Sequence, residues 1–245
     1  YMQFDAGGSE RMRINENGNV GIGVTPSTGW VSSTDFTALQ IGSGLALWGR
    51  GSGDHERLGL TANLYHDGSA WKHLNTGRVT GYEQNDGKHI FNYYASQAAG
   101  TSVTPTTAMV IDTSGNVGIG TPSPSRLLTV QSTGQADLTI RSGDSDYSQL
   151  MFGDTSADNR GGVLYNNATD DMHFATEITS TAGIALTIDN QQFVGIGTTS
   201  PSYLVHAENA TSTGQSVIAT SGNNQFIMAI GSQNSPGVAQ EAFIG

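Results

Sequence analysis

The chain has 245 residues, 33 glycines, no cysteine, 13% charged residues and a formal net charge of −11. It can form neither disulfides nor thiolate metal sites, and its scattered Lys and Arg are too few to grip phosphate, so no nucleic-acid partner is expected. No apolar run approaches the ~20 residues of a membrane span, so membrane insertion is not expected either.

Short runs of Val, Ile and Leu separated by Ser, Thr, Asn and Gly predict an all-β fold built of many short strands. Residues 1–26 open with YMQFDAGGSE, which lacks the charged and then apolar pattern of a secretory leader. They continue into MRINENGNVGIG at residues 12–23. This phrase returns as MVIDTSGNVGIG at residues 109–120 and as LTIDNQQFVGIG at residues 186–197.

The spacing is the same each time. Ile14, Ile111 and Ile188 precede Val20, Val117 and Val194, which are followed by Ile22, Ile119 and Ile196 and then by Pro26, Pro124 and Pro201. Period-2 alternation on both sides of a polar connection predicts a short β-hairpin in each copy. Asn17-Gly18 and Ser114-Gly115 supply turn residues that tolerate positive φ. The third copy has Gln191-Gln192, so either Asn190 takes the left-handed conformation there or the turn is of another type.

The second arm of each hairpin carries Val and Ile on one face and only glycine on the other: Gly21 and Gly23, Gly118 and Gly120, Gly195 and Gly197. Glycine is kept in a strand where another backbone comes close. So small a hairpin is unstable alone in water. The expectation is therefore an oligomerisation collar, with Ile14, Val20, Ile22, Ile111, Val117, Ile119, Ile188, Val194 and Ile196 packed about an axis and sister backbones approaching the glycines. A nucleotide loop does not fit: Gly115, Gly118 and Gly120 reverse the dinucleotide fingerprint, a proline replaces the helix and no phosphate-gripping Lys follows.

The collars divide the chain into a larger β block at residues 27–108, a second collar at 109–126, a smaller block at 127–185, a third collar at 186–203 and the start of a further block at 204–245. In the smaller block, strands are expected around residues 128–130, 138–140, 150–153, 162–165 and 172–174. Residues 2–4 match residues 172–174 in their place before a collar, so the sequence reads as a cut from a longer array.

The larger block holds Trp30, Trp48 and Trp71. Residues 65–73 align there with residues 165–171, which places an insertion at residues 75–88. Aromatic faces and polar side chains that fix hydroxyls suit a sugar, and the candidate set is Trp48, Trp71, His73, Tyr82 and Asp67. The same tryptophans also suit core packing, the commoner fate of large aromatics.

Catalysis finds little support. Asp54 with Glu56, or Asp170 with Asp171, would need to face each other across a cleft to hydrolyse a glycoside. Asp144 and Asp146 have the spacing of two calcium ligands without the rest of that loop. His55, His66, His73, His89, His173 and His206 form no close-spaced pair, and the nucleophile elbow Gly-x-Ser-x-Gly is absent. No enzymatic activity, cofactor or metal is expected.

The stretches from Met109 to Leu128 and from Leu186 to Leu204 resemble repeated segments of bacteriophage tail fibres and related trimeric bacterial adhesion fibres; the first copy departs with Pro26 one place early. The resemblance implies an elongated parallel homotrimer in the virion tail, outside the cell, in which collars alternate with small β-rich domains. The partners it implies are a bacterial surface polysaccharide or other envelope receptor and further virion tail proteins. Such fibres often end in a self-cleaving chaperone domain, and no such segment is visible in this sequence. Three roles follow: a receptor-binding fibre, a passive shaft with recognition elsewhere, or a polysaccharide depolymerase.

Overall fold

The computed structural model describes residues 1–27, 30, 36–50, 57–178 and 183–208, together with the backbone of two further strands, Gln215–Thr220 and Phe226–Gly231. The fold is all-β. The chain forms two compact units, Tyr1–Asp137 and Leu138–Gly245.

Most of the first unit is one eleven-stranded sheet. Its strands, in spatial order, are β1 (Met2–Ala6), β2 (Ser9–Ile14), β3 (Val20–Ile22), β4 (Phe36–Ile41), β5 (Leu45–Arg50), β6 (Arg57–Ala62), β9 (Gly77–Asn85), β10 (Lys88–Gln97), β11 (Thr106–Ile111), β12 (Val117–Ile119) and β13 (Leu128–Val130). Neighbours run antiparallel except β3 with β4 and β12 with β13. Two strands, β7 (Leu64–His66) and β8 (Trp71–His73), leave the sheet as a hairpin of their own, so β6 pairs directly with β9.

The second unit repeats this plan with a six-stranded sheet of β14 (Tyr147–Phe152), β15 (Gly161–Asn166), β16 (Asp171–Ala175), β17 (Ile184–Ile188), β18 (Val194–Ile196) and β19 (Val205–Ala207). Only β18 and β19 are parallel. Beyond it, β20 (Gln215–Thr220) and β21 (Phe226–Gly231) pair antiparallel. Residues 138–140, expected as a strand, belong to none of these sheets.

Two expectations change at this level. The collars are not lone hairpins, because each is continuous with the sheet of its neighbouring block and is extended by a parallel strand. The insertion of the larger block is also placed differently. Ladder pairing carries Leu58 to Gln84 to His89 in the first unit and Ser148 to Tyr165 to Met172 in the second, so Tyr165 corresponds to Gln84 rather than to Tyr65. The added element is therefore the β7–β8 hairpin itself.

One repeat unit recurs in register. Phe4 faces Met12 and then Ile22, Phe91 faces Met109 and then Ile119, and Phe174 faces Leu186 and then Ile196. In each copy a β-bulge falls just after the phenylalanine. The carbonyls of the extra residues, Arg11, Ala108 and Ala185, accept a hydrogen bond from the N–H of Gly23, Gly120 and Gly197 at 2.8, 2.9 and 3.0 Å. These glycines have φ of +67°, +72° and +73°, a conformation that any side chain would strain. The repeat thus begins one strand before the collar phrase.

The core of the first unit lies on one face of the sheet only. Trp30, Phe36, Ala38, Ala46 and Trp48 are buried there, with Tyr65 and Trp71 of the inserted hairpin packed on them. Trp71 lies 4.6 Å from Trp48 and 5.7 Å from Trp30 between ring centroids. The Trp48 ring lies so close over Gly59 that a Cβ added there would stand 2.2 Å from it.

Gly59→Ala is accordingly expected to displace the Trp48 ring and destabilise the first unit by roughly 1–3 kcal/mol. Gly134→Ala, where an added Cβ meets nothing within 4 Å, serves as the neutral control. Thermal unfolding followed by tryptophan fluorescence reads the difference, and equal melting of the two variants would contradict this packing.

Candidate functional site

Each collar turn is organised by one side chain. Asn15, Asp112 and Asp189 follow directly on β2, β11 and β17, and the Oδ1 of each accepts two backbone N–H groups from the turn. The donors are Asn17 and Asn19, Ser114 and Asn116, and Gln191 and Phe193. Short side chains of this kind stabilise turns by such local bonds. For Asp112 the bond from the Asn116 N–H, followed by those from its side chain and from Ser114, holds the carboxyl below its usual range.

Gly18 and Gly115, both at φ +80°, take the left-handed position of the turn. In the third copy that position belongs to Gln192, at φ +67°, and not to Asn190. The Asx acceptor fixes the turn, and the non-glycine residue is held in it.

The glycine face is covered from within the chain. A Cβ at Gly21, Gly118 or Gly195 would stand 2.1, 2.5 or 2.4 Å from the carbonyl oxygen of Val24, Thr121 or Thr198. At Gly120 and Gly197 it would stand 2.1 Å from the carbonyl oxygens of Gln131 and Glu208. The cause is topological. Parallel neighbours ordinarily need a crossover of a dozen residues or more, whereas β12 returns to β13 through residues 120–127 and β18 to β19 through residues 197–204. So short a loop must press against the sheet, with Pro124 and Pro201 buried under it, and Pro26 is buried likewise in the longer connection from β3 to β4. Where a sister backbone was expected, the chain's own return loop lies against Gly21, Gly118 and Gly195, and the residue after the parallel strand lies against Gly120 and Gly197, whereas a Cβ at Gly23 would meet nothing within 4 Å.

The opposite face is left open. Following the ladder across the first sheet gives Met2, Ile14, Val20, Leu39, Leu47, Leu60, Tyr82, Phe91, Met109, Ile119 and Val130, one apolar or aromatic residue from every strand. The second sheet continues the pattern with Leu150, Val163, Phe174, Leu186, Ile196 and Ala207. In the single chain Leu47, Leu60, Phe91, Ile119 and Val130 are between 39% and 48% exposed. Ile111, Val117, Ile188 and Val194 occupy the adjoining rows of the same face, and Ile22 lies beside Met12 and Ile41. A contiguous apolar surface of this extent is unusual on a free monomer.

The five residues expected to hold a sugar do not converge. Trp48 and His73 are each 1% exposed, so neither offers a surface to a ligand, and core packing takes both. Tyr82 stands on the apolar face, with its ring 5.0 Å from Phe91 and its hydroxyl 2.6 Å from His89 Nδ1. Trp71 is half-buried against Trp30, Phe36 and Trp48. Asp67 alone stays at the surface, where its Oδ1 accepts from the Ser69 and Ala70 N–H groups. Sequence reasoning missed Phe91, Leu47 and Leu60, because Leu47 stands between Ala46 and Trp48 and Phe91 follows Ile90, so no clean alternation with polar neighbours marks their face.

Asp170 and Asp171 serve the fold as well. Asp170 accepts the Tyr165 hydroxyl at 3.0 Å, while Asp171 accepts the Asn190 N–H and so fastens the third collar turn to β16. Asp54, His55 and Glu56 lie outside the described residues. Among the described residues no three of His, Asp and Glu gather as metal ligands, and no helix is long and apolar enough to cross a membrane. Neither a family model nor a curated protein sequence matches the chain.

Burial pushes the imidazoles of His66 and His173 below their ordinary value, against opposing pulls from Asp67 and Asp171 respectively. His173 Nδ1 lies 3.0 Å from the Thr187 hydroxyl on the covered face of the second sheet. Because the unfolded chain takes up protons that these folded sites resist, stability is full above about pH 6.5 and falls as the pH drops through and below it. Denaturant midpoints at pH 7.5 and 5.5 check this, and His173→Gln is expected to reduce the dependence.

Gln192→Gly removes a strained left-handed glutamine and is expected to stabilise the third collar by about 1 kcal/mol. Differential scanning calorimetry measures it, and an unchanged or lower melting temperature would refute the strain.

Proposed function

We propose that the chain is a structural and host-recognition segment of a bacteriophage tail fibre, working as a homotrimer in the virion tail beside other tail proteins. The observation that carries this reading is the unbroken apolar row on one face of each sheet, which coincides with the collar repeats and has no cover among the described residues. Each further copy presents the same apolar face, and three copies about an axis bring these faces together. Covering one half-exposed Leu, Ile or Phe is worth roughly 1 kcal/mol, and each chain presents many. The opposite face, with the β7–β8 hairpin, then points outward to a bacterial polysaccharide or envelope receptor.

A passive shaft is the second reading, and the burial of Trp48 and His73 favours it by removing two members of the expected sugar-binding set. Both readings share the trimer and differ in whether this segment touches the host.

Size-exclusion chromatography with light scattering is expected to give three times the chain mass of 25.6 kDa. Ile119→Asp places like charges into the covered face and is expected to yield monomer or insoluble chain. A compact monomer for the unaltered protein, or an assembly indifferent to Ile119→Asp, would overturn the proposal.

A further inference from the structure

The covered side of the first sheet carries an open cleft of about 500 Å³, lined among others by Thr25, Gln40, Ser43, Tyr65, Asp67 and Asn75. Gln40 lies on the same side as Gly21, opposite the apolar row, since both alternate with Val20 and Leu39 along their paired strands. The cleft therefore stays free when the apolar face is covered. It lies where the return loop after the first collar meets the inserted hairpin, an element with no counterpart in the second unit's sheet.

From these residues the geometry points to a binding site for an uncharged saccharide. Asp67 is the one charged residue in the lining. Its carboxyl is held well below the usual range, first by the Ala70 N–H and then by the Ser69 hydroxyl and N–H, so it remains an anion. Its Oδ2 lies 3.6 Å from Lys72 Nζ, so the charge is balanced within the protein and the cleft offers no net charge to hold an ionic ligand, while the carboxylate still accepts hydrogen bonds from hydroxyls. Asn75 is held from both sides, its N–H donating to Asn63 Oδ1 and its Nδ2 to the Ser43 carbonyl. The buried Gln40 accepts the Ser27 N–H at 3.0 Å. Tyr65 supplies an aromatic wall that is packed against the Trp30 and Trp48 cluster, and its hydroxyl bonds to no described residue.

An aromatic wall, two positioned amides, hydroxyls and an acceptor-only carboxylate are the groups that recognise a sugar ring, and the volume accommodates one or two such rings. Hydrolysis is not implied, because the lining holds one carboxylate and glycoside cleavage takes a pair. As the receptor contact of a fibre, this assignment rests on the tail-fibre reading above.

Saturation-transfer difference NMR on the full chain, with the methyl glycosides of glucose, galactose, mannose and N-acetylglucosamine, tests it. Ser43→Trp and Thr25→Trp each fill the cleft from an exposed rim without touching the core. At least one glycoside is expected to give a signal that falls tenfold or more in both variants, with mass and melting temperature unchanged. No signal from any glycoside, or signals equal in the variants, would overturn the assignment. Binding to purified bacterial polysaccharides separates the two levels. Retention by both variants would remove the cleft and leave host recognition standing, whereas glycoside signals without any polysaccharide binding would keep the cleft and remove the recognition role.

Discussion

A β-strand shows its two faces at alternate residues, and this chain spends the two faces on opposite ends of the size scale. In the collar arms one face is Val and Ile, and the other is glycine. The glycines let a short return loop press onto the sheet and complete a parallel ladder within the chain, so that face is finished. The branched face receives no described segment. Every later feature follows from that asymmetry: the core gathers on the covered side, the inserted hairpin folds onto it, and a row of apolar residues runs across all eleven strands of the first sheet without a cover among the described residues.

The missing cover is a matter of topology as much as of composition. Crossovers and the β7–β8 hairpin lie on the side that the glycines leave low, because only there can backbone approach backbone. No described segment crosses the Leu47–Leu60–Phe91–Ile119 side. An apolar surface interrupted only by groups such as the Tyr82–His89 pair and Gln84 is poorly hydrated, and a copy of the same surface is the simplest complement available to it.

Much of this was legible in the residues. The three collar hairpins, their Ile-to-Val spacing, the all-β class and the match of residues 2–4 with 172–174 all came from period-2 patterning and repetition, which are local signals. What stayed hidden depends on pairing between distant segments. The equivalent strand before the second collar, His89-Ile90-Phe91, escaped notice because its polar neighbours differ from those of the other copies, although its bulge and register are the same. The glycines announced a close approach but not its source. The tryptophans looked like a sugar site because sequence does not show that Gly59 opens a space for Trp48. Residues 165–171 were aligned to the wrong element for the same reason: Tyr65 belongs to a hairpin that leaves the sheet.

The inserted hairpin gives the covered side of the first unit's sheet a surface that the second unit's sheet does not have, and it does so without disturbing the apolar row, since β6 and β9 still pair beneath it. The apolar row and the cleft thus occupy opposite sides of one sheet.

The central claim is that copies of the chain cover the apolar face in solution. Hydroxyl-radical footprinting read by mass spectrometry tests it most directly, comparing Phe91, Met109 and Leu60 with the exposed Tyr203. The account predicts strong protection of the first three relative to their exposure in the single chain, with Tyr203 freely modified. Modification of Phe91 and Leu60 at the rates set by their single-chain exposure would contradict it.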